Sequence, residues 1–173
     1  MNRSFLTIIV ALLCNTLFAG ITTYTFTSKD WKSKVDATAC DGKTDGWVCD
    51  KEAYEYSEGY TDAAGRVYSR GVSVKKSTTG AGATSVVEFE DVRMIDINFC
   101  QNASKGKGSI FVQVGGNEAY ELVINAPQKG QGQYNRDTTL RIATPETGKV
   151  RFWVECTENA ININTLSIRS SNG

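Results

Sequence analysis

The chain has 173 residues, 19 basic and 19 acidic side chains, and no histidine. The missing imidazole excludes a Ser-His-Asp triad, a Cys-His pair and any histidine-ligated metal site. The balanced charge argues against a nucleic-acid binder, which needs a strongly basic surface. This length is that of one ordinary domain, and no repeat or linker divides the sequence.

The first twenty residues are predicted to be a signal peptide. Arg3 supplies a positive start, Phe5–Leu13 is a nearly continuous apolar run, and Ala19 and Gly20 offer a small-residue cleavage site. The run is too short to span a membrane, which needs about 20 apolar residues. We therefore expect a secreted, periplasmic or cell-surface protein with no transmembrane segment in its mature chain, residues 21–173.

Beyond this leader, short alternating runs between polar, glycine-rich turns predict an all-β fold, a two-sheet antiparallel β-sandwich over residues 21–173. Residues Lys29–Val35 are compatible with a single helical turn. The candidate strands, in chain order, are Thr22–Thr27, Val67–Lys75, Thr84–Glu90, Val92–Cys100, Gly108–Gly115, Ala119–Asn125, Asp137–Ala143, Lys149–Cys156 and Ile161–Ile168.

Alternation also assigns the faces of the strands, because successive side chains of a strand point to opposite sides. The apolar positions predicted to meet in the core include Ile95, Ile97, Phe99, Val150, Phe152 and Val154. The positions between them are predicted to face outward, namely Asp96, Asn98, Arg151, Trp153 and Glu155.

Four cysteines follow the leader, an even number that is consistent with two disulfides in an exported protein. Three connectivities are open. Cys40 and Cys49 flank a loop rich in Asp and Gly, which makes a local bridge plausible. A Cys100–Cys156 bridge is the other option, but strand alternation turns Cys100 outward and Cys156 inward, so it requires a bulge.

Two stretches resemble small exported proteins of gut Bacteroidetes. Residues Gly71–Gly116 carry a Gly-Val start, a Gly/Ala/Ser turn, a strand ending near a cysteine and an N-A-S-K-G hairpin. The segment GKVRFWVECTENAININTLSI is similar to the end of galactose-binding-like jelly rolls, the fold of many carbohydrate-binding modules. The resemblance implies a jelly-roll (galactose-binding-like) sandwich, and as a likeness of fold it says less about function.

The leading functional prediction is a non-catalytic carbohydrate-binding module that recognises a glycan, alone or beside a partner enzyme. Sugar rings pack on exposed aromatic side chains, and planar polar side chains bind their hydroxyls. Trp153 and Trp47 are the candidate platforms. The candidate polar partners are Arg151, Glu155, Asp96 and Asn98.

Two alternatives stay open. The first is a structural or adhesive cell-surface domain that binds another protein. The second is a glycosidase that needs no histidine and uses paired carboxylates, with Glu88, Glu90, Asp91 and Glu155 as candidates.

No cofactor is required by these patterns. A structural calcium ion is the one addition that the resemblance allows, because galactose-binding-like domains often hold one. Asp41, Asp45 and Asp50 are weak candidate ligands, since hard cations take carboxylate oxygens but the spacing fits no EF-hand. A solvated turn is the preferred interpretation of this loop.

Overall fold

The computed structural model describes residues 20–26, 46–50, 55–57, 71–73, 80, 82–101, 106–126, 135–158 and 161–173. Regular structure in these ranges consists of β-strands, and they contain no helix of the length and apolarity that a membrane crossing requires. The strands are β1 (Gly20–Thr25), β2 (Trp47–Cys49), β3 (Glu55–Ser57), β4 (Gly71–Ser73), β5 (Ala83–Gln101), β6 (Lys107–Val114), β7 (Tyr120–Ile124), β8 (Asn135–Glu158) and β9 (Ile161–Ser170).

Two long strands, β5 and β8, run through both layers of the sandwich. The C-terminal part of β5 and the N-terminal part of β8 pair in a first sheet that continues through β9 to β1 and to β4–β3. The N-terminal part of β5 and the C-terminal part of β8 pair in a second sheet with β2, β6 and β7. All of these pairings are antiparallel. The chain therefore passes from one sheet to the other within β5 and within β8, while β6 and β7 are neighbouring strands of the second sheet.

The passage between the sheets lies where both long strands bend. The β5–β8 register shifts three times between Thr84 and Met94, as expected where bulges bend a strand. Asp91 has a φ of 50°, and its N–H donates to Thr147 Oγ1 at 3.1 Å. Gly148 has a φ of 141°, and a Cβ there would lie 2.6 Å from the Cα of Gly115. This close approach explains why glycine occupies the bend.

One apolar core fills the space between the sheets. Phe26, which follows β1 of the first sheet, has its ring 5.4 Å from that of Phe152 in the second sheet. Trp47 from β2 contacts both rings and also Tyr24. The remaining buried side chains include Phe89, Val92, Ile95, Ile97, Phe99, Ile110, Val112, Val114, Val150, Val154, Ile161, Ile163, Leu166 and Ile168.

The predicted fold class, an all-β antiparallel sandwich, is confirmed, and so are the inner positions assigned by alternation. The strand division was wrong at two places, because the predicted pairs of strands on either side of residues 91 and 144–148 are the single strands β5 and β8. Pairing continues across the polar bend, where Val92 still pairs with Glu146. Strands β2 and β3 were not predicted. The proposed helical turn at Lys29–Val35 lies outside the described residues.

Replacing Trp47 with alanine tests the core. Its side chain is fully buried among aromatic rings, so Trp47→Ala should lower the free energy of unfolding by roughly 3–5 kcal/mol. Val48 is the matched control, because it follows in the same strand and its side chain is 42% exposed. Val48→Ala should change stability by about 0.5 kcal/mol or less. Urea unfolding followed by circular dichroism measures both, and equal losses would contradict this position of Trp47.

Candidate functional site

The outer surface of the second sheet carries a cluster of aromatic and polar side chains, which we call the Trp153 face. It comprises Arg151, Trp153 and Glu155 of β8, Ser109 and Phe111 of β6, and Glu121 of β7. Antiparallel pairing places Phe111 opposite both Trp153 and Glu121, and Ser109 opposite Glu155. Because side chains directly opposite each other in a sheet are in contact distance, three strands build one surface.

A stack of planar groups forms the centre of the Trp153 face. The ring of Phe111 lies 5.0 Å from that of Trp153, with 6° between their planes. The Arg151 guanidinium carbon lies 4.9 Å from the Trp153 ring centre, within the range of a cation–π contact. Trp153 Nε1 donates to Glu155 Oε1 at 3.2 Å. All four side chains remain partly exposed, so the cluster offers aromatic carbon, a cation and a carboxylate to a ligand.

Arg151 is held in place by a loop contact that the sequence did not reveal. Its Nη2 donates to Asp50 Oδ2 at 2.6 Å and to the carbonyl of Gly80 at 2.8 Å. The same Asp50 oxygen accepts the N–H of Gly82 at 2.8 Å. A Cβ on Gly82 would lie 3.2 Å from Trp153 Cβ, so the backbone at Gly82 packs against Trp153. The contacts fix the orientation of Arg151 and border one side of the Trp153 face.

Polar side chains continue across β6 and β7. Ser109 Oγ donates to Glu121 Oε1 at 2.6 Å, and Gln113 Nε2 donates to the carbonyl of Asn117 at 2.7 Å. Both hydrogen bonds are exposed to solvent. The aromatic stack is thus flanked by hydroxyl, carboxylate and amide groups, the groups that bind sugar hydroxyls.

Asp96 and Asn98 do not join this cluster, so the prediction that they act with Trp153 was wrong. Both lie on the outer surface of the first sheet, which faces away from the second. Asp96 accepts hydrogen bonds from Thr139 at 2.7 Å and from Arg169 at 3.1 Å. Asn98 bonds to Asp137 and to Asn164, each at 2.8 Å. Alternation showed that these side chains point outward, but it did not show from which sheet.

Trp47 is also excluded as a stacking platform, because its exposed fraction is 0%. It pairs with Ser85, whose side chain is likewise buried, while the next residue, Val48, faces outward. A strand of three residues has too little alternation for its inner face to be read from the sequence. The indole of Trp47 belongs to the core.

The calcium site stays a prediction. Asp50 forms an ion pair with Arg151, while Asp41 and Asp45 lie outside the described residues. Within the described ranges, no three acidic or cysteine side chains are grouped so that they could hold a metal ion.

Of the carboxylates considered for a glycosidase, Glu88 and Glu90 are exposed on either side of buried Phe89.

The expected Cys100–Cys156 bridge is absent, because both residues are thiols. Cys100 pairs with Asn135 and Asn162 in the first sheet, whereas Cys156 pairs with Gly108 in the second. Burial raises the pKa of Cys100 to about 11. Burial also raises the pKa of Cys156, although a hydrogen bond from the backbone of Ile161 lowers it in part.

For the local bridge between Cys40 and Cys49, Cys40 and the side chain of Cys49 lie outside the described residues.

Thiol alkylation tests these assignments. The raised pKa keeps buried Cys100 protonated at about pH 8, so iodoacetamide should modify it slowly in the folded protein. Unfolding without a reductant should make both Cys100 and Cys156 reactive, as read by mass spectrometry of peptides. Because the pKa of Cys100 is higher in the folded than in the unfolded protein, the neutral thiol contributes fully to the free energy of unfolding below pH 9.0, its ordinary pKa. This contribution should be lost as the pH rises towards 11. Failure of both residues to react after unfolding would instead indicate a disulfide.

Comparisons with known proteins give likeness of structure alone. No family model matches the chain, and no curated protein matches it. The cleaved adhesin domain of Lys-gingipain from Porphyromonas gingivalis is 15% identical, with a TM-score of 0.48, covering 87% of this chain and 98% of that one. The C-terminal family 6 carbohydrate-binding module of a Zobellia galactanivorans laminarinase is 12% identical, with a TM-score of 0.43, covering 87% and 100%.

A xylan-binding domain of family 22 from Paenibacillus barcinonensis is 14% identical, with a TM-score of 0.43, covering 88% of this chain and 96% of that one. Carbohydrate-binding modules, the group named by the sequence resemblance, are thus among the similar structures. At these identities and TM-scores the likeness assigns no ligand to this chain.

Proposed function

We propose that this protein is a non-catalytic carbohydrate-binding domain that recognises a glycan through the Trp153 face. The observation that carries the proposal is the partly exposed Phe111–Trp153 stack with Arg151 and Glu155 beside it. Pyranose rings present C–H groups that pack on aromatic carbon and hydroxyls that pair with charged and amide groups. The Trp153 face offers both on one exposed surface.

The platform differs from the lone indole that the sequence suggested. Phe111 and Arg151 already lie against the Trp153 ring. A sugar would therefore pack on the joint outer surface of the stack instead of on a free indole face. An open sheet surface of this kind suits the interior of a glycan chain, which can extend across neighbouring strands.

Anchoring of the polar groups supports binding. Arg151 is fixed by Asp50 and Gly80, and Glu155 by the indole N–H of Trp153. Side chains that are ordered before binding lose little conformational entropy when a ligand arrives. The second oxygen of Glu155 and the remaining guanidinium N–H groups are the groups proposed to bind hydroxyls.

The two alternative functions have less support. The large apolar side chains that are exposed in the described ranges are Ile21 on β1, Val48 on β2, Val86 and Val87 on β5, and Val123 on β7. These five residues are spread over four strands, and scattered apolar residues of this kind are ordinary on the surface of a protein. Of the candidate carboxylates for a glycosidase, Glu155 already accepts the indole N–H of Trp153, and Glu88 and Glu90 are exposed on β5.

Replacing Trp153 tests the proposal. A glycan array with the wild-type protein identifies a ligand, and calorimetry then compares its affinity for the variants. Trp153→Ala should weaken binding about tenfold or more, because it removes half of the aromatic stack and the partner of Glu155. Asn98→Ala is the control, since Asn98 lies on the opposite side of the sandwich, and it should bind as the wild type does.

Two results would contradict the proposal. If the wild-type protein binds no glycan on the array, the function is not carbohydrate recognition. If Trp153→Ala binds with unchanged affinity while its circular dichroism matches the wild type, the Trp153 face is not the site. Release of reducing sugar from the bound glycan would revive the glycosidase alternative.

Export of the protein is a further part of the proposal. Strand β1 begins at Gly20, which pairs with Ser170, so cleavage after Ala19 would keep all the pairs of β1 with β9 and cleavage after Gly20 would remove one of them. Gly20 has no room for a side chain, since a Cβ would lie 1.6 Å from the carbonyl oxygen of Gly173. The leader would thus end where the folded domain begins.

Intact-mass analysis checks this part. Expression of the full sequence in a bacterial host should give a protein outside the cytoplasm whose mass corresponds to a chain starting at or just after Gly20. A variant lacking residues 2–19 should stay in the cytoplasm. A full-length chain that remains in the cytoplasm would contradict export.

A further inference from the structure

The aromatic stack of the Trp153 face stands upright on the second sheet. The rings of Phe111 and Trp153 are parallel, and their centres are 5.0 Å apart. Two rings at this distance cannot lie side by side in one plane, so they stack face to face. Because they belong to the paired strands β6 and β8, which lie about 4.8 Å apart, the stack runs across the strands. Each ring therefore turns its second face towards the next strand of the sheet.

The second face of Trp153 is covered by protein. Strand β8 lies between β5 and β6 in this sheet. The Arg151 guanidinium carbon lies 4.9 Å from the indole centre, and a Cβ on Gly82 would lie 3.3 Å from the same carbon. Because Gly82 directly precedes β5, the guanidinium covers the indole from the β5 side. Phe111 covers it from the β6 side, so the indole has no open face.

The second face of Phe111 is turned towards β7 and is open. Phe111 pairs with Glu121 there, and Ser109, two residues earlier on β6, donates its hydroxyl hydrogen to Glu121 Oε1 at 2.6 Å. This hydrogen bond draws the carboxylate along the strands, away from the ring. Among the described residues, Trp153 is the one aromatic side chain whose ring contacts Phe111. A ligand can therefore reach aromatic carbon on this side, next to the exposed Val123.

Hydrogen-bond acceptors flank this open face, and we call the region the Phe111 shelf. It comprises Ser109, Phe111 and Gln113 of β6 and Glu121 and Val123 of β7. Gln113 Nε2 donates to the carbonyl of Asn117 at 2.7 Å, which holds the amide and leaves its Oε1 as an acceptor. Glu121 keeps its Oε2 as an acceptor, because Ser109 binds the other oxygen. Acceptors held in this way bind the hydroxyls of a sugar at little cost in conformational entropy.

The charges around the shelf disfavour an acidic ligand. Arg151 and Lys107 are each in an ion pair with a carboxylate, at 2.6 Å and 3.0 Å. Lys149 lies four residues from Trp153 along β8, roughly 13 Å away. The carboxylate of Glu121, in contrast, is exposed beside the open ring. Like charges repel across a binding surface, so a carboxylate or sulfate on the ligand is excluded.

We propose that a sugar ring stacks on the open face of Phe111 and that the glycan carries no negative charge. This inference rests on the proposed function and deepens it, because it locates the contact within the Trp153 face and names the charge class of the ligand. Ring C–H groups pack on Phe111, and hydroxyls donate to Glu121 Oε2 and Gln113 Oε1. Trp153 supports the Phe111 ring from behind.

Two aromatic substitutions test which ring the sugar contacts, with affinity for the tightest array ligand measured by calorimetry. Phe111→Leu keeps apolar bulk but removes the open aromatic face, and it should weaken binding about tenfold or more. Trp153→Phe is the matched control, because it keeps a ring behind Phe111, and it should weaken binding about threefold at most. A larger loss in Trp153→Phe than in Phe111→Leu would overturn the contact with Phe111.

NMR of the bound sugar separates a direct contact from a structural role of Phe111. Sugar C–H protons that lie over an aromatic face shift upfield because of the ring current. These shifts should be present with the wild-type protein and with Trp153→Phe, and they should disappear with Phe111→Leu. Upfield shifts that persist in Phe111→Leu would assign the stacking to another ring and overturn the inference.

An array with neutral and acidic probes tests the charge class. The neutral probes are hexasaccharides of cellulose, laminarin, mannan and xylan, and the acidic probes are hexasaccharides of mannuronate and galacturonate. The tightest ligand should be neutral. Glu121→Gln should weaken its binding about threefold or more, because a carboxylate accepts stronger hydrogen bonds than an amide. Glu118→Gln is the control, since it removes the same charge from the exposed β6–β7 turn.

The inference and the proposed function fail on different results. An acidic probe as the tightest ligand, or equal affinities of Glu121→Gln and Glu118→Gln, would overturn the inference while glycan recognition stands. The same holds if Trp153→Ala weakens binding and Phe111→Leu does not, because the Trp153 face would then act without the Phe111 shelf. Binding of the wild-type protein to none of the probes would overturn both.

Discussion

The structure depends on the bend shared by β5 and β8. Each strand contributes inner side chains to both sheets, so one apolar core joins the two layers. The bend requires Gly148 to lie against Gly115 at a distance that excludes a Cβ, and it keeps Asp91 at a positive φ. Burial of this core between the layers is the main favourable term for folding, and the two outer surfaces are positioned by it.

The same bend determines which polar residues act together. It places Trp153 and Asp96 on opposite sides of the protein although both face outward from their strands. On the second sheet, pairing of β6 with β8 brings Phe111 against Trp153, and Asp50 then fixes Arg151 beside them. At the end of the sandwich where β7 ends and β8 begins, a cavity is lined by residues of β5, β7 and β8, among them the buried Gln101.

Much of the fold was predictable, because strand periodicity is a local property. Alternation correctly placed Phe152 inside and Trp153 outside, since β8 is long enough for the pattern to repeat. It gave no sign that Trp47 is buried, because its strand has only three residues, and the even number of cysteines wrongly favoured a disulfide for Cys100 and Cys156. The sites were harder to predict, because their residues come from distant parts of the chain.

By itself, the amino-acid sequence established an all-β protein without histidine-dependent catalysis or histidine metal ligands. Composition and a two-residue period reveal this because they do not depend on distant contacts. It could not establish which outward side chains share a surface. The contact of Arg151 with Asp50 joins residues 101 positions apart, and no local pattern encodes such a distance. Strand order and the bend of β5 and β8 bring these groups together, and for that reason the candidate sites emerged from the tertiary structure.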